Sequence, residues 1–214
     1  IATHQGLPER APESTDMITR AAVDFNPDRN KCFKNNSRRI QANQPPCTIG
    51  TPKEEVDFVL WGDSHANSLR SAFIAYAEEE DLYGATFMVG QCPPLFLDDI
   101  TLISEDCRLE KARAVAYMQQ HEVGTLYLAS AWQEEYVTNS GRAHSLQTAL
   151  EQTISKLPHG QKVVIIKDVP NQTHFDLREM FYSSLTESFD IQSIEITKAE
   201  HLLWSVPINL QIDA

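Results

Sequence analysis

From residue 56 onward, hydrophobic residues fall into short, nearly continuous runs. These runs span residues 56–61, 85–89, 125–129 and 162–166. Short apolar runs that stop near glycine or proline are typical of buried strands. Amphipathic segments with helical spacing separate them, at residues 67–80, 106–120 and 145–157. The pattern therefore predicts strands and helices that alternate along the chain.

Strands that alternate with helices predict βαβ units, which build a parallel sheet with helices on both faces. The crossovers are expected to be right-handed. The fold class is therefore α/β, with a flavodoxin-like arrangement. Ligands of such sheets bind at the carboxyl ends of the strands. The loops that follow Trp61, Val89, Ala129 and Ile166 are the ones in which we expect functional residues.

The two ends of the chain lack this alternation. Residues 1–55 are rich in proline, asparagine, arginine and glutamine and show no sustained period, which predicts a linker and a loop-rich N-terminal extension. Residues 56–214 form the predicted domain. Within them, 191–196 have the composition of a further strand, and 207–214 that of the opening of a helix.

Charge and hydropathy exclude several classes of function. The formal net charge is −12, which argues against nucleic acid and against an anionic membrane surface as direct partners. No stretch of about 18 apolar residues could span a bilayer. The chain begins with Ile1 rather than methionine, and we expect it to be part of a longer polypeptide.

The four cysteines are placed in two pairs with the same separation along the chain. Cys32 and Cys47 form the first pair, and Cys92 and Cys107 the second. No CxxC or histidine-bearing zinc spacing surrounds them, so no metal is expected. Four cysteines allow three pairings, and two local disulfides are the simplest, each stabilising by roughly 3 kcal/mol in an oxidising compartment. The alternative is four buried free thiols.

The residues with the most specific chemistry follow the first predicted strand, in the sequence GDSHA at 62–66. Glycine permits a tight strand-to-helix turn. Ser64 would then lie at a helix N-terminus, where backbone N–H groups and the helix dipole stabilise an oxyanion. The alternative is that Asp63 or Ser64 only caps the helix.

Residues 59–66, VLWGDSHA, resemble the first conserved block of the SGNH hydrolases, also called the GDSL esterase superfamily. The resemblance is greatest to the SGNH domains fused to membrane acyltransferase type 3 domains in bacterial O-antigen acetyltransferases. Four further segments also resemble segments of these fused domains, in the same order along the chain. They are GLPER at 6–10, CTIG at 47–50, GQCPPL at 90–95 and ASAW at 129–132.

The resemblance implies an SGNH-hydrolase fold in which Ser64 is the nucleophile. The N–H groups of Ser64 and Gly90 are the candidate oxyanion donors. Most SGNH enzymes place an asparagine after the third strand, where this chain has Trp132, which is either a substrate contact or a packing residue. No cofactor is implied.

The same resemblance implies a location and partners. The domain would lie at the periplasmic face of the inner membrane as part of a membrane protein. Its partners would be the membrane acyltransferase domain and a polysaccharide acceptor, such as the O-antigen of lipopolysaccharide, and its usual acyl group would be acetyl.

The family's Asp-x-x-His motif, which supplies the base, has no match within the 214 residues. The histidines are His4, His65, His121, His144, His159, His174 and His201. His174 follows the fourth predicted strand and is the best internal substitute. We expect a fifth strand and the motif to lie beyond the sequence given. A chain ending at Ala214 should then be impaired, whereas a longer one should have activity that depends on Ser64.

Three hypotheses follow from these observations. The first is an O-acyltransferase domain with a serine nucleophile. The second is a catalytically silent module that docks a glycan or another partner, and a stand-alone carbohydrate esterase is a further alternative. The third is an unspecified flavodoxin-like domain, for which the sequence lacks a phosphate-binding glycine loop.

Overall fold

The computed structural model describes residues 28–34, 36–96, 104–132 and 146–167. Its strands are β1 (Cys47–Ile49), β2 (Val56–Gly62), β3 (Gly84–Met88), β4 (Val123–Ala129) and β5 (Lys162–Ile166). Its helices are α1 (Asn36–Gln41), α2 (Ser64–Glu79), α3 (Glu105–Gln120) and α4 (Leu146–Ile154), and a π-helical turn spans Asn30–Lys34. The strands form one sheet in the order β1-β3-β2-β4-β5.

The predicted α/β fold with a central parallel sheet is confirmed. β2 pairs in parallel with β3 on one side and β4 on the other, and β4 pairs in parallel with β5. Because β2 lies between β3 and β4 and is parallel to both, the carboxyl ends of these three strands lie side by side. Gly62, at the end of β2, lies opposite Met88 of β3 and Ala129 of β4.

Helices cover both faces of this sheet, as the long apolar runs require. On one face, Trp61 and its neighbours pack against Ala114 of α3 and Ala149 of α4. On the other face, Leu60 packs against Ala66 of α2. Consecutive residues of β2 thus point into different halves of the core, which is why this strand is apolar at almost every position.

The N-terminal extension is more regular than its composition predicts. β1 lies in it and pairs antiparallel with β3, so that Cys47 is opposite Thr86. A three-residue strand is too short to give an alternating pattern in the sequence. Its position is decided by the neighbouring edge of β3 and by the disulfide at Cys47.

Both predicted disulfides are present. The Cα atoms of Cys32 and Cys47 are 5.8 Å apart, and those of Cys92 and Cys107 are 5.5 Å apart. The first bridge joins the π-helical turn to β1, and the second joins the loop after β3 to α3. The alternative of four free thiols was therefore wrong.

Several boundaries and segments differ from the prediction or lie outside it. The helix predicted over 67–80 begins three residues earlier, at Ser64. The predicted strand at 191–196, the predicted helix at 207–214, and His174 and His201 lie outside the described residues. Among the residues that the structure describes, no helix has the length and apolar character needed to cross a membrane.

Candidate active site

The turn between β2 and α2 depends on the absence of a side chain at Gly62. A Cβ atom built on this residue would lie 1.7 Å from the carbonyl oxygen of Ala129 and 2.9 Å from the Cβ of Ala66. The chain therefore passes against β4 and immediately enters α2. This close approach places the next two residues at the carboxyl edge of the sheet.

Asp63 is the residue that caps α2. Its Oδ1 accepts a hydrogen bond of 2.8 Å from the backbone N–H of His65, and its side chain is only 1% exposed. Ser64 is the first residue of the helix, and its side chain is exposed. The capping interpretation thus applies to Asp63, while Ser64 lies at the helix N-terminus and opens to solvent, as predicted.

The second carboxylate oxygen of Asp63 holds the loop after β4. Asp63 Oδ2 accepts hydrogen bonds from the Ser130 hydroxyl at 2.7 Å and from the Ala131 N–H at 3.1 Å. A buried carboxylate needs such donors, because desolvation otherwise disfavours its charge. Asp63 thereby fixes the turn that carries Ser64 against the loop that carries Trp132.

Gly90 reaches the same edge through the register of β2 and β3. The Val89 N–H donates to the carbonyl of Gly62 at 3.3 Å, one residue beyond the pair formed by Gly62 and Met88. Gly90 is exposed, and a Cβ there would meet only the ring of Phe33, at 3.5 Å. The structure therefore brings Gly90 to the edge of the sheet that also carries Ser64.

The loop after β3 is anchored by both neighbouring helices. The Lys111 ammonium of α3 donates to the Leu95 carbonyl at 2.5 Å, and the Phe96 N–H donates to the Thr153 hydroxyl of α4 at 2.8 Å. Burial lowers the pKa of Lys111 from 10.5 to about 8. Together with the disulfide at Cys92, these contacts hold the loop that begins at Gly90.

Trp132 is a core residue in this structure. Its side chain is 1% exposed and packs in the same cluster as Trp61, and its indole N–H donates to the Ile166 carbonyl at 2.8 Å. The bond joins the loop after β4 to the end of β5. This geometry supports the packing alternative, and a contact with substrate stays a prediction.

The structure does not bring a histidine base to Ser64 from the described parts of the chain. His121 follows α3 and His159 precedes β5, so both lie at the amino edge of the sheet, opposite the site. His65 is adjacent to Ser64 in the helix, where neighbouring side chains point in different directions. Over the described ranges, no cluster of three or more His, Cys, Asp and Glu side chains could hold a metal ion.

Sequence reasoning missed three features of the site. It treated Asp63 only as a cap and did not predict its bonds to Ser130. It did not single out Lys111 or Asn67, although both are polar residues on helices and are buried in the structure. A polar residue on the inward face of a predicted amphipathic helix was the available signal.

The model of the SGNH domains that are fused to AT3 domains matches residues 31–213, which is most of the chain. The chain belongs to this family. The SGNH domain is also similar in structure to the periplasmic domain of lipopolysaccharide acetyltransferase from Salmonella ser. Paratyphi A. The TM-score is 0.54 at 15% sequence identity, over 91% of this chain and 76% of that one, a likeness that shows the fold. No curated protein sequence matched the chain.

Proposed function

We propose that this SGNH domain is the extracytoplasmic part of an O-acyltransferase, and that Ser64 is its nucleophile. The observation that carries the proposal is the placement of Ser64. It is the exposed first residue of α2, at the carboxyl edge of a parallel sheet, in a chain that belongs to a family of domains fused to AT3 domains.

The proposed reaction has two steps, acylation of Ser64 and transfer of the acyl group to a sugar. In the first, Ser64 Oγ bonds to the carbonyl carbon of an acyl donor, its proton passes to a base, and the carbonyl electrons move to the oxygen. Collapse of this tetrahedral species breaks the bond to the donor's leaving group, which takes up a proton, and leaves an acyl-serine. In the second, a sugar hydroxyl attacks the acyl-serine, loses its proton to the base, and releases Ser64 with its proton restored.

The surroundings of Ser64 favour the negative oxygen of both steps. The first backbone N–H groups of α2 have no partner inside the helix and carry partial positive charge. The Gly90 N–H is the second proposed donor, since the register places it at the same edge. Asp63 is a nearby acidic residue, and its carboxylate accepts three hydrogen bonds, from the His65 N–H, the Ser130 hydroxyl and the Ala131 N–H.

The proposed location is the periplasmic face of the inner membrane. Two disulfides agree with an oxidising compartment. In this proposal the AT3 membrane domain delivers the acyl group, and a cell-surface polysaccharide such as lipopolysaccharide O-antigen accepts it, with acetyl as the group transferred. The structurally similar Salmonella protein is itself a lipopolysaccharide acetyltransferase.

The proposed reaction requires a base that takes the Ser64 proton. His174, which lies outside the described residues, is the proposed internal substitute for the histidine of the family's Asp-x-x-His motif. A His174→Ala variant tests this role, because it abolishes turnover of the folded protein only if His174 takes the proton.

The test of the nucleophile compares the full encoded chain with its Ser64→Ala variant on an activated acetyl ester and on an acetyl-accepting oligosaccharide. Labelling with a fluorophosphonate, which phosphonylates nucleophilic serines, followed by mass spectrometry of the modified peptide, identifies the nucleophilic residue directly. Loss of turnover and of labelling in Ser64→Ala supports the proposal. An unchanged rate in Ser64→Ala contradicts it, whereas a wild-type chain without any turnover favours the docking module. Hydrolysis without any transfer to sugar favours the carbohydrate esterase.

A further inference from the structure

Positive charge is concentrated in one short part of this acidic chain. Residues 28–41, which we call the basic segment, contain five lysine or arginine residues and a single aspartate, whereas the whole sequence has 18 Lys and Arg against 30 Asp and Glu. Lys31 and Arg38 are exposed, and Arg29 and Arg39 are partly exposed. The segment therefore presents positive charge to solvent, although the rest of the sequence is strongly acidic.

The aspartate of the basic segment faces a buried cation. The Asp28 carboxylate lies 3.6 Å from the guanidinium of Arg70 on α2, and the Arg70 side chain is only 2% exposed. Arg70 also donates to the Thr48 carbonyl of β1 at 3.2 Å. Asp28 is thus balanced by a cation from outside the segment, and the segment itself keeps an excess of positive charge. The same contacts hold it against α2 and β1.

The basic segment borders the edge of the sheet that carries Ser64. The ring of Phe33 would lie 3.5 Å from a Cβ atom at Gly90, and it packs against the cluster of apolar side chains under α2. The disulfide at Cys32 fixes the preceding residue. At the other end of the segment, Ser37 and Gln41 of α1 both donate to Asp106 in the first turn of α3. The segment is therefore built into this edge of the domain.

Arg29 is the cation whose place beside the site is defined most closely. Its Cζ lies over the Phe33 ring, 6.0 Å from the ring centroid. Arg29 and Gly90 are therefore neighbours of one and the same ring. A guanidinium matches the geometry of a carboxylate or a phosphate, with which it forms paired hydrogen bonds. A group suited to anions thus lies next to one of the two proposed oxyanion donors.

We infer that the acceptor of the acyl group is an anionic glycan, which carries a carboxylate or a phosphate, and that the basic segment binds this acidic group while a hydroxyl of the same glycan is acylated at the Ser64 site. This assignment rests on the proposed role of Ser64. The acidic group is only held and takes no part in the transfer, so the atoms and protons of the two proposed steps balance as before.

The distribution of charge favours a glycan over an anionic membrane as the occupant. One acidic sugar needs only the basic segment, because charges elsewhere on the protein are screened beyond about 8 Å at physiological ionic strength. A bilayer surface extends far past the segment and would also face the acidic residues of a chain whose net charge is −12. The place beside Gly90 also agrees with a substrate, which has to approach Ser64.

The experiment measures the affinity of the full encoded chain for an oligogalacturonate and for its methyl ester, two oligosaccharides that differ chiefly in charge. Affinities are determined by titration calorimetry at low and at physiological ionic strength. The acidic oligosaccharide should bind about tenfold more tightly, as expected for a few exposed ion pairs. The higher ionic strength should reduce this preference, because salt screens exposed charges.

Charge-removing variants locate the binding surface. Arg29→Gln should weaken binding of the acidic oligosaccharide by about twofold to fivefold, the size expected of one exposed ion pair, and Arg29→Lys should lose less. The triple variant Arg29→Gln/Lys31→Gln/Arg38→Gln should bind both oligosaccharides equally. Lys156→Gln is the matched control and should bind as the wild type does. Lys156 is also exposed and lies 5.4 Å from the centroid of a ring, that of Phe96, but it follows α4 at the opposite edge of the sheet. Melting temperatures show that each variant is folded.

Equal affinities of the wild type for the two oligosaccharides, or no binding of either, overturn the inference, and so does an equal loss in Lys156→Gln. Binding to phosphatidylglycerol vesicles that the triple variant loses, without a preference between the oligosaccharides, overturns it in favour of a membrane contact.

Affinity is measured without turnover, so the inference and the proposed function can fail separately. If Ser64→Ala abolishes turnover of an activated acetyl ester and the wild type binds both oligosaccharides equally, only the inference fails. If the acidic oligosaccharide is preferred but Ser64→Ala keeps the turnover, the proposed function fails, and the basic segment is a docking surface for acidic glycans without a role in transfer.

Discussion

The Ser130 hydroxyl donates a hydrogen bond of 2.7 Å to the Asp63 carboxylate, although the two residues are 67 positions apart in the sequence. Both side chains are 1% exposed. The bond joins the loop after β4 to the turn after β2, and the adjacent Ala131 N–H adds a second bond to the same oxygen. The turn that presents Ser64 is therefore held from the neighbouring strand as well as from its own helix.

Ser130→Ala should destabilise the protein by about 1–3 kcal/mol, because it leaves a buried carboxylate with one donor fewer. The free energy of unfolding is measured by urea denaturation. Ser155→Ala is the matched control, since this exposed hydroxyl donates to the Gln152 carbonyl of its own turn. Its effect should stay within about 0.5 kcal/mol. Equal effects of the two substitutions would show that the bond to Asp63 contributes nothing specific.

Gly62→Ala should prevent the native fold or destabilise it severely. The added methyl group would have to occupy the space that the Ala129 carbonyl oxygen holds, at 1.7 Å, and a backbone atom of the central sheet cannot move aside cheaply. Gly90→Ala is the comparison, because its nearest contact is an ordinary 3.5 Å to the Phe33 ring. Melting temperatures measure both. A Gly62→Ala protein as stable as Gly90→Ala would contradict the close approach of β2 and β4.

Removal of the Cys92–Cys107 disulfide should lower both stability and activity. A bridge that closes a loop of this size stabilises by roughly 3 kcal/mol, and this one also fixes the loop that begins at Gly90. The double variant Cys92→Ala/Cys107→Ala is compared with Cys32→Ala/Cys47→Ala, which has the same sequence separation. Stability should fall similarly in both. Turnover is assayed at a temperature at which each variant is folded, and it should fall further in Cys92→Ala/Cys107→Ala. Equal turnover of the two double variants would argue against a role of this loop in positioning Gly90.

In the wild type the free energy of unfolding should increase with pH because of Lys111, and Lys111→Met should remove this increase. Burial lowers the folded-state pKa of Lys111 to about 8, whereas the unfolded chain has the ordinary value of 10.5. Between these two values the unfolded state binds more protons, so the free energy of unfolding increases as pH rises through this window. A shift of this size corresponds to about 3 kcal/mol in total.

The measurement is the difference in unfolding free energy between wild type and Lys111→Met from pH 8 to pH 10.5. Taking the difference removes the contribution of Tyr117 and Tyr127, whose pKa values are raised chiefly by burial. The wild type should gain stability relative to the variant as the pH increases. A difference that stays flat would mean that the Lys111 ammonium is not desolvated as its position beside Leu95 indicates.

Much of the fold was predictable because it depends on local sequence. The apolar run that ends at Trp61, the following glycine and the amphipathic segment after it specify a strand, a turn and a helix between Val56 and Glu79. The helix start was missed by three residues because capping by Asp63 adds one turn that apolar spacing does not mark. β5 was predicted at its observed bounds, since proline and glycine close the segment before it.

The sequence by itself determined the alternation of strands and helices and the strand, glycine turn and helix around Ser64, and it favoured the two local disulfides, because each follows from a short stretch of chain. Only the tertiary structure decided that β1 adds an antiparallel edge, that Asp63 bonds to Ser130, and that Trp132 is buried with its indole bonded to Ile166. These contacts join segments far apart in the chain, and they exist because the sheet order places β2 between β3 and β4. Strand order results from how all the apolar faces are buried together, and no local pattern of residues specifies it.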